Sequence, residues 1–167
     1  RFLPRGSKPT LAYRYTSGNG PLIGFLPGYM SDMAGGKAVA VFDWAVSQGR
    51  ACLLLDYSGC GHSEGDFKDG TLSRWREDVL ALIDHVGGGD VLLIGSSMGG
   101  WLMLLVGVAL GERLKGMIGI APAPDFTDWG FTEAQKATIA RDGVLYEDNP
   151  YGPEPTPTRR GLFDDGV

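Results

Sequence analysis

The residues Gly95–Gly99 (GSSMG) form a segment that could carry out nucleophilic chemistry. Ser97 stands at its centre, with a glycine two positions away on each side. Because glycine has no Cβ atom, such flanks permit a sharp turn that exposes the central hydroxyl. Apolar periodicity predicts a strand, Val91–Ile94, directly before the turn and a helix, Met98–Leu110, directly after it. We therefore predict that Ser97 is the nucleophile of an acyl-transfer reaction.

Two backbone amides could stabilise the oxyanion that such a reaction forms. The amide of Met98 follows the serine and begins the predicted helix, where the helix dipole adds to its effect. The amide of Tyr29 follows an apolar run predicted to be a buried strand, and Gly28 lets the chain come close. The alternatives are an ordinary helix-capping turn and an ordinary strand-exit turn. Ser96 is the rival nucleophile, but it lacks a glycine two residues before it.

The elements that would position these groups alternate along the chain. Strands predicted as buried alternate with helices, of which the third, Met98–Leu110, is apolar nearly all round and is expected to be buried. This alternation implies a mostly parallel sheet with helices on both faces. The predicted strands are Leu11–Tyr15, Leu22–Leu26, Ala51–Leu55, Val91–Ile94 and Met117–Ile120, and the predicted helices are Lys37–Gln48, Leu72–Val86 and Met98–Leu110. After Ala121 the pattern becomes irregular. It predicts one helix, Thr132–Arg141, and an extended or disordered proline-containing stretch at residues 149–158.

Bulk composition narrows the class of protein. The chain has 167 residues, 43% of them hydrophobic and 21% charged, which fits one globular domain. The net charge of -5 argues against nucleic acid as a partner. Two cysteines and two histidines predict neither a disulfide framework nor a metal site. The longest apolar stretch, Trp101–Leu110, is about half the roughly 20 residues that cross a bilayer. With no signal-type segment at the start, we expect a cytoplasmic, reducing compartment.

Three segments together resemble the α/β-hydrolase superfamily of serine hydrolases. They are Pro27–Tyr29 after a strand, the motif Asp-x-x-Gly-x-Gly-x-Ser at residues 56–63, and residues 95–100. The amino-acid sequence of residues 24–33 and 56–63 resembles that of one subgroup, which contains mitochondrial palmitoyl-protein thioesterases and acyl-glucuronide esterases with their bacterial relatives. The similarity covers residues of about 11 to 150.

The resemblance implies a specific architecture and activity. It implies the α/β-hydrolase fold, with a mostly parallel, doubly wound sheet, a helical lid after Ala121, and no cofactor. Residues 1–120 would form the N-terminal part of the core, 121–158 the lid, and 159–167 the start of the remainder. The implied substrate is a small-molecule ester or thioester of a medium or long acyl chain. The oligomeric state does not follow from the sequence.

One departure from the family concerns the general base. In the family the catalytic acid and histidine follow the lid, so we expect both to be absent from this chain. His62 precedes Ser97 in the chain, whereas the family order is serine, acid, histidine. His85 falls at the end of a predicted helix, on an exposed face. Asp56 is expected to be structural, binding loop amides.

The missing base leads to an expectation about the whole chain. A complete family member would be longer by roughly another 80 residues, which the size of single-domain α/β folds allows. We therefore expect a C-terminally truncated fragment that lacks the last strands of the sheet, is poorly stable and is nearly inactive.

Two other classes of function stay open at this point. The chain could be an amidase, peptidase or haloperoxidase-like member of the same fold, or a non-catalytic binding module that uses the pocket without a base. A P-loop ATPase is excluded because the segment lacks the Gly-Lys-Ser/Thr ending. Apolar residues after Ala121 could line an acyl pocket or pack within the lid: Phe126, Trp129, Phe131, Ile139 and Leu145.

Overall fold

A six-stranded sheet forms the centre of the protein, in a computed structural model that describes residues 1–150 and 152–166. Its strands are β1 (Phe2–Arg5), β2 (Lys8–Thr16), β3 (Asn19–Leu26), β4 (Arg50–Leu55), β5 (Val91–Ser96) and β6 (Leu114–Ile120). Their order across the sheet is β1-β2-β4-β3-β5-β6. The four strands β4, β3, β5 and β6 run parallel, and β1 and β2 are antiparallel. The predicted mostly parallel sheet is confirmed.

Each strand sends alternate side chains to opposite faces, because the side-chain period of a strand is two. On one face, Leu22 and Leu93 join a core cluster that includes buried residues of α2 (Leu72–Val86) and α3 (Met98–Leu110). On the other face, Ile23 joins the buried residues of α1 (Gly36–Ser47). The sheet is therefore covered by helices on both faces, as expected for a doubly wound α/β fold.

The bounds of α2 and α3 agree with the prediction from sequence. Helix α2 begins after Thr71, whose hydroxyl accepts a hydrogen bond from the Arg74 amide, and ends at Gly87 with a positive φ of 142°. Both are ordinary helix-end signals. At the N-terminus the sequence predicted only an edge or a tail for residues 1–10. Those residues form β1 and the start of β2, which pair at the edge of the sheet.

The segment after β6 contains short helices and a strand pair. The helices are α4 (Phe126–Trp129), α5 (Glu133–Asp142) and α6 (Arg160–Asp165), and the strands β7 (Val144–Glu147) and β8 (Thr156–Arg159) pair antiparallel. Thr132 caps α5 in a capping box with Gln135. The lid predicted from the resemblance is thus only partly helical, and part of the proline-containing stretch is the ordered strand β8. Tyr151 and Val167, which belong to two predicted segments, lie outside the described residues.

Helix α3 and strand β6 leave some apolar surface exposed. Val108 of α3 is 86% exposed, and Met117 and Ile118 of β6 are 44% and 52% exposed. The sequence predicted α3 to be buried nearly all round, whereas the structure leaves Leu104 40% exposed in addition to Val108. No helix in the described part of the chain is long and apolar enough to cross a membrane.

Candidate active site

Ser97 occupies a strained turn between β5 and α3. Its backbone has φ 53° and ψ −122°, which a non-glycine residue adopts only when its surroundings enforce it. The Ser97 amide donates to the carbonyl of Ile120, and the Ser97 carbonyl accepts from the amides of Gly100 and Ala123. These bonds fix the turn from the end of β6, while the side chain remains exposed.

Glycines around the turn allow the backbones to approach one another. A Cβ atom at Gly95 would overlap the carbonyl of Gly99, and one at Gly99 would overlap the carbonyl of Leu26. At Gly28 an added Cβ would stand 3.4 Å from the Cβ of Ser97. The loop between β3 and α1 (residues 27–35, the β3–α1 loop) therefore passes directly against Ser97.

The amides of Tyr29 and Met98 are available for a ligand. Parallel pairing brings Leu26 opposite Gly95, so the carboxyl ends of β3 and β5 lie side by side. Tyr29 and Met98 follow those two ends. Within residues 1–150 and 152–166, neither amide donates a hydrogen bond to a protein acceptor. Two unpaired amides beside an exposed serine can stabilise a negatively charged oxygen bound at that serine.

Two residues at the end of β4 anchor the β3–α1 loop. The fully buried Tyr57 donates its hydroxyl to the carbonyl of Pro27 at 2.8 Å. Asp56, also fully buried, accepts hydrogen bonds from the amides of Met33 and His62, each at 2.8 Å. The structural role predicted for Asp56 is confirmed. The role of Tyr57 was missed, because its partner is a backbone carbonyl distant in the sequence.

We expect Asp56→Ala to lower the free energy of unfolding by about 2–5 kcal/mol, because two loop amides lose their acceptor and the fully buried carboxylate is replaced by a smaller side chain. Urea unfolding followed by tryptophan fluorescence measures this change. Asp43→Ala, at an exposed position of α1, is the matched control and should change stability by less than about 0.5 kcal/mol. Equal stability of the two variants would contradict the anchoring of the β3–α1 loop by Asp56.

Cys60 lies near this site but is not a competing nucleophile. It is a free thiol, 8% exposed, in the loop between β4 and α2. Burial, reinforced by the charges of Asp56 and Asp78, raises its pKa to about 12. A thiol reacts as the thiolate, so Cys60 is unreactive near neutral pH. Cys52, fully buried in β4, is also a free thiol.

Neither histidine is bonded to Ser97. The Tyr13 hydroxyl and Nε2 of His85 are 3.0 Å apart, and the two rings pack edge to face. His62 is exposed, and its amide donates to Asp56. Within the described residues no hydrogen bond joins either imidazole to Ser97. The structure thus brings Tyr29 and Met98 to Ser97 but gives it no histidine partner.

Two small cavities lie beside the β3–α1 loop, and Ser97 lines neither of them. One of about 80 Å³ is lined by Gly28, Ser31 and Ser96 among others, and another of about 210 Å³ lies between the β3–α1 loop and Cys60. Sites for drug-sized ligands usually measure about 300–1,000 Å³.

Two of the apolar residues that follow β6 contribute to packing. Phe126 packs against Tyr29 and Trp101, and Ile139 is 1% exposed. In the described residues, no group of three or more His, Cys, Asp or Glu could hold a metal ion.

Comparison with known proteins identifies the family. Residues 25–167 match the Alpha/beta hydrolase family, and the chain belongs to it. A solved hydrolase from Agrobacterium vitis has a TM-score of 0.88 and 37% identity, over 99% of this chain and 69% of that one. The mouse protein described as alpha/beta hydrolase domain-containing protein 10 gives the same TM-score and identity, over 99% and 68%. The resemblance and the fold predicted from the sequence are confirmed.

Curated relatives carry the name palmitoyl-protein thioesterase ABHD10, mitochondrial. The human protein is 47% identical over 88 residues, which is 53% of this chain and 29% of that protein. The mouse protein is 48% identical over 88 residues and 30% of its length. The chain therefore matches less than a third of the length of these relatives. Their mitochondrial designation contradicts the cytoplasmic compartment that we expected from the sequence. That expectation rested on the absence of a secretory signal-type segment, and this absence does not test for mitochondrial targeting.

Proposed function

We propose that the protein is a serine hydrolase of acyl esters or thioesters, with Ser97 as nucleophile and the amides of Tyr29 and Met98 as the oxyanion hole. The observation that carries this proposal is the strained backbone of Ser97 beside two unpaired amides. Strain of this kind costs about 1–3 kcal/mol and is concentrated at functional sites. The thioesterase names of the curated relatives support the substrate class.

The proposed reaction has two steps. Ser97 Oγ attacks the acyl carbonyl, its proton passes to a base, and the carbonyl oxygen becomes an oxyanion held by the two amides. The oxyanion then collapses and expels the thiolate or alkoxide, which leaves an acyl ester on Ser97. Water attacks that ester through the same oxyanion arrangement, releases the carboxylic acid and restores the serine. Donors that are already oriented toward the forming charge account for a large share of such catalysis.

We also propose that the general base is not one of the two histidines of this chain. His85 is bonded to Tyr13, and His62 has no bond to Ser97. A site with an oxyanion hole but no base retains roughly 10³–10⁴-fold catalysis over water, far below a complete triad. Deacylation needs the same base as acylation. The acyl-serine should therefore form slowly and persist.

The test is to trap that acyl-serine. We expect purified protein incubated for hours with p-nitrophenyl butyrate to gain one butyryl group, located on Ser97 by peptide mass spectrometry. Ser97→Ala should lose this label, and the matched variant Ser96→Ala should retain it. Label of equal amount in Ser97→Ala, or label carried by Ser96, would contradict the assignment. The same acyl group presented as a thioester and as an anilide separates a thioesterase from an amidase.

A further inference from the structure

The side chain of Tyr29 extends from the β3–α1 loop to the segment that follows β6. Its hydroxyl donates to the carbonyl of Pro157 in β8 at 2.5 Å. Its ring packs edge to face against Phe67 and Trp75, with centroid distances of 5.2 and 6.3 Å. One residue thus supplies both a backbone amide beside Ser97 and a side chain that binds a strand 128 positions away.

The contact at β8 is half-buried and polar on both sides. Thr158, next to Pro157, is 3% exposed and lowers the pKa of the Tyr29 phenol by less than burial raises it. Burial raises the pKa of Tyr29 to about 12, so the phenol stays protonated and remains a donor at neutral pH. A buried carbonyl that loses its donor carries a desolvation cost. The hydrogen bond therefore favours one position of β8 relative to the β3–α1 loop.

The β3–α1 loop is held at other points by the core. Tyr57 binds the carbonyl of Pro27 and Asp56 binds the amide of Met33, so the two ends of the loop are tied to the end of β4. Tyr29 lies between these two anchors, and its side chain reaches β8 instead of β4. The backbone around Tyr29 is also closed by a hydrogen bond from the Ser31 amide to the Gly28 carbonyl, and the contact with β8 is a further restraint on it from outside the loop.

We propose that the Tyr29 hydroxyl is a positioning group, which orients the Tyr29 amide for the oxyanion only while β8 is docked on it. This inference rests on the proposed function of that amide. It makes strand β8 a support of the Tyr29 amide, since undocking of β8 would leave the serine exposed but the oxyanion hole loosely formed. The hydroxyl touches no reacting atom and acts through the backbone of its own residue.

The test distinguishes the contribution of the Tyr29 hydroxyl from that of the Tyr29 ring. Tyr29→Phe removes the donor and keeps the aromatic packing, and Thr158→Val removes the hydroxyl on the β8 side with little change in shape. Tyr146→Phe is the matched control, because Tyr146 lies in β7 of the same strand pair and is 58% exposed. Two readouts are measured: amide hydrogen exchange at Thr156, Thr158 and Arg159, and the rate of Ser97 acylation by p-nitrophenyl butyrate at varied concentration.

We expect Tyr29→Phe to speed exchange in β8 and to lower the maximal acylation rate about tenfold, with a half-saturating ester concentration changed less than about twofold. Complete removal of an oxyanion donor costs about 10²–10³-fold, and a loosened donor should cost less. Thr158→Val should change both readouts in the same direction, by a smaller factor. Tyr146→Phe should behave as the unsubstituted protein.

Four results would overturn the inference. Faster exchange in Tyr29→Phe with an unchanged acylation rate would make the hydroxyl merely structural. An equal loss of rate in Tyr146→Phe would assign the effect to the strand pair in general. Absence of acyl-Ser97 in the unsubstituted protein would overturn the proposed function and this inference with it. Normal acylation in both the unsubstituted protein and Tyr29→Phe would overturn this inference alone.

Discussion

Gly99→Ala is expected to destabilise the fold by at least about 3 kcal/mol, although alanine is ordinarily the better helix former. Gly99 is the second residue of α3, and helix propensity alone would predict a gain of about 1 kcal/mol. The added Cβ would overlap the carbonyl of Leu26 and stand 2.6 Å from that of Pro27. Both are backbone atoms, so relief requires β3 and α3 to separate. The measurement is urea unfolding, with far-UV circular dichroism to establish the fraction that folds.

Gly107→Ala in the same helix is the control for Gly99→Ala. There the added Cβ would meet the ends of two flexible side chains, at 3.1 Å for Leu114 and 3.3 Å for Met117. Side-chain ends can move by a few tenths of an ångström, so we expect a change within about 1 kcal/mol of zero. Similar stability of the two variants would show that the close approach of α3 to β3 does not determine this turn. Acylation of Ser97 should also fail in Gly99→Ala, because the β3–α1 loop would be displaced.

Local signals predicted the elements that carry the serine. The bounds Leu72–Val86 and Met98–Leu110 were predicted from apolar periodicity, and in the structure Thr71 caps the first helix and the strained Ser97 turn precedes the second. Asp56 was also predictable, since a carboxylate at the end of a buried strand, followed by glycines, can only be satisfied by loop amides. The helix ends depend on neighbouring residues, and one partner of Asp56, His62, is six positions away, whereas the other, Met33, is 23 positions away.

Features that depend on distant residues were not predicted. The proline-containing stretch gave no periodicity, yet part of it forms β8, because β7 lies beside it and Tyr29 binds its carbonyl. The hydrogen bond from Tyr57 to Pro27 joins two loops that meet only because β3 and β4 are adjacent in the sheet. The mitochondrial designation of the relatives was missed for a different reason, since compartment is not a property of the folded core.

Raising the pH from 6 to 9 is expected to accelerate acylation of Ser97 about 1,000-fold, without an inflection in the logarithm of the rate. Because no histidine of the described residues is bonded to Ser97, we expect the proton of its hydroxyl to pass to solvent hydroxide, whose concentration rises tenfold per pH unit. With a histidine as the base, the logarithm of the rate would instead stop rising above a pH of about 6.5, the ordinary pKa of an imidazole. The rate is measured as butyryl-Ser97 formed per unit time, by mass spectrometry at a fixed concentration of p-nitrophenyl butyrate.

The side chains of Tyr29 and Cys60, which lie beside the site, should keep their protons between pH 6 and 9. Burial raises the pKa of the Tyr29 phenol and of the Cys60 thiol from 10.0 and 9.0, respectively, to about 12 in both cases. Because the folded state holds these protons more tightly than the unfolded state, their contribution to stability is present below about pH 9. It is lost only as the pH rises from there toward 12. A rate change between pH 6 and 9 therefore reports on Ser97 and its base.

His62→Gln, His85→Gln and the double variant complete the experiment. All three should reproduce the linear profile, because neither imidazole contacts Ser97. A plateau in the unsubstituted protein that disappears in one variant would identify that histidine as the base and would contradict the proposal. The linear profile would place Ser97 in a site whose turn and oxyanion donors are formed by this chain, while the group that removes its proton is supplied by solvent.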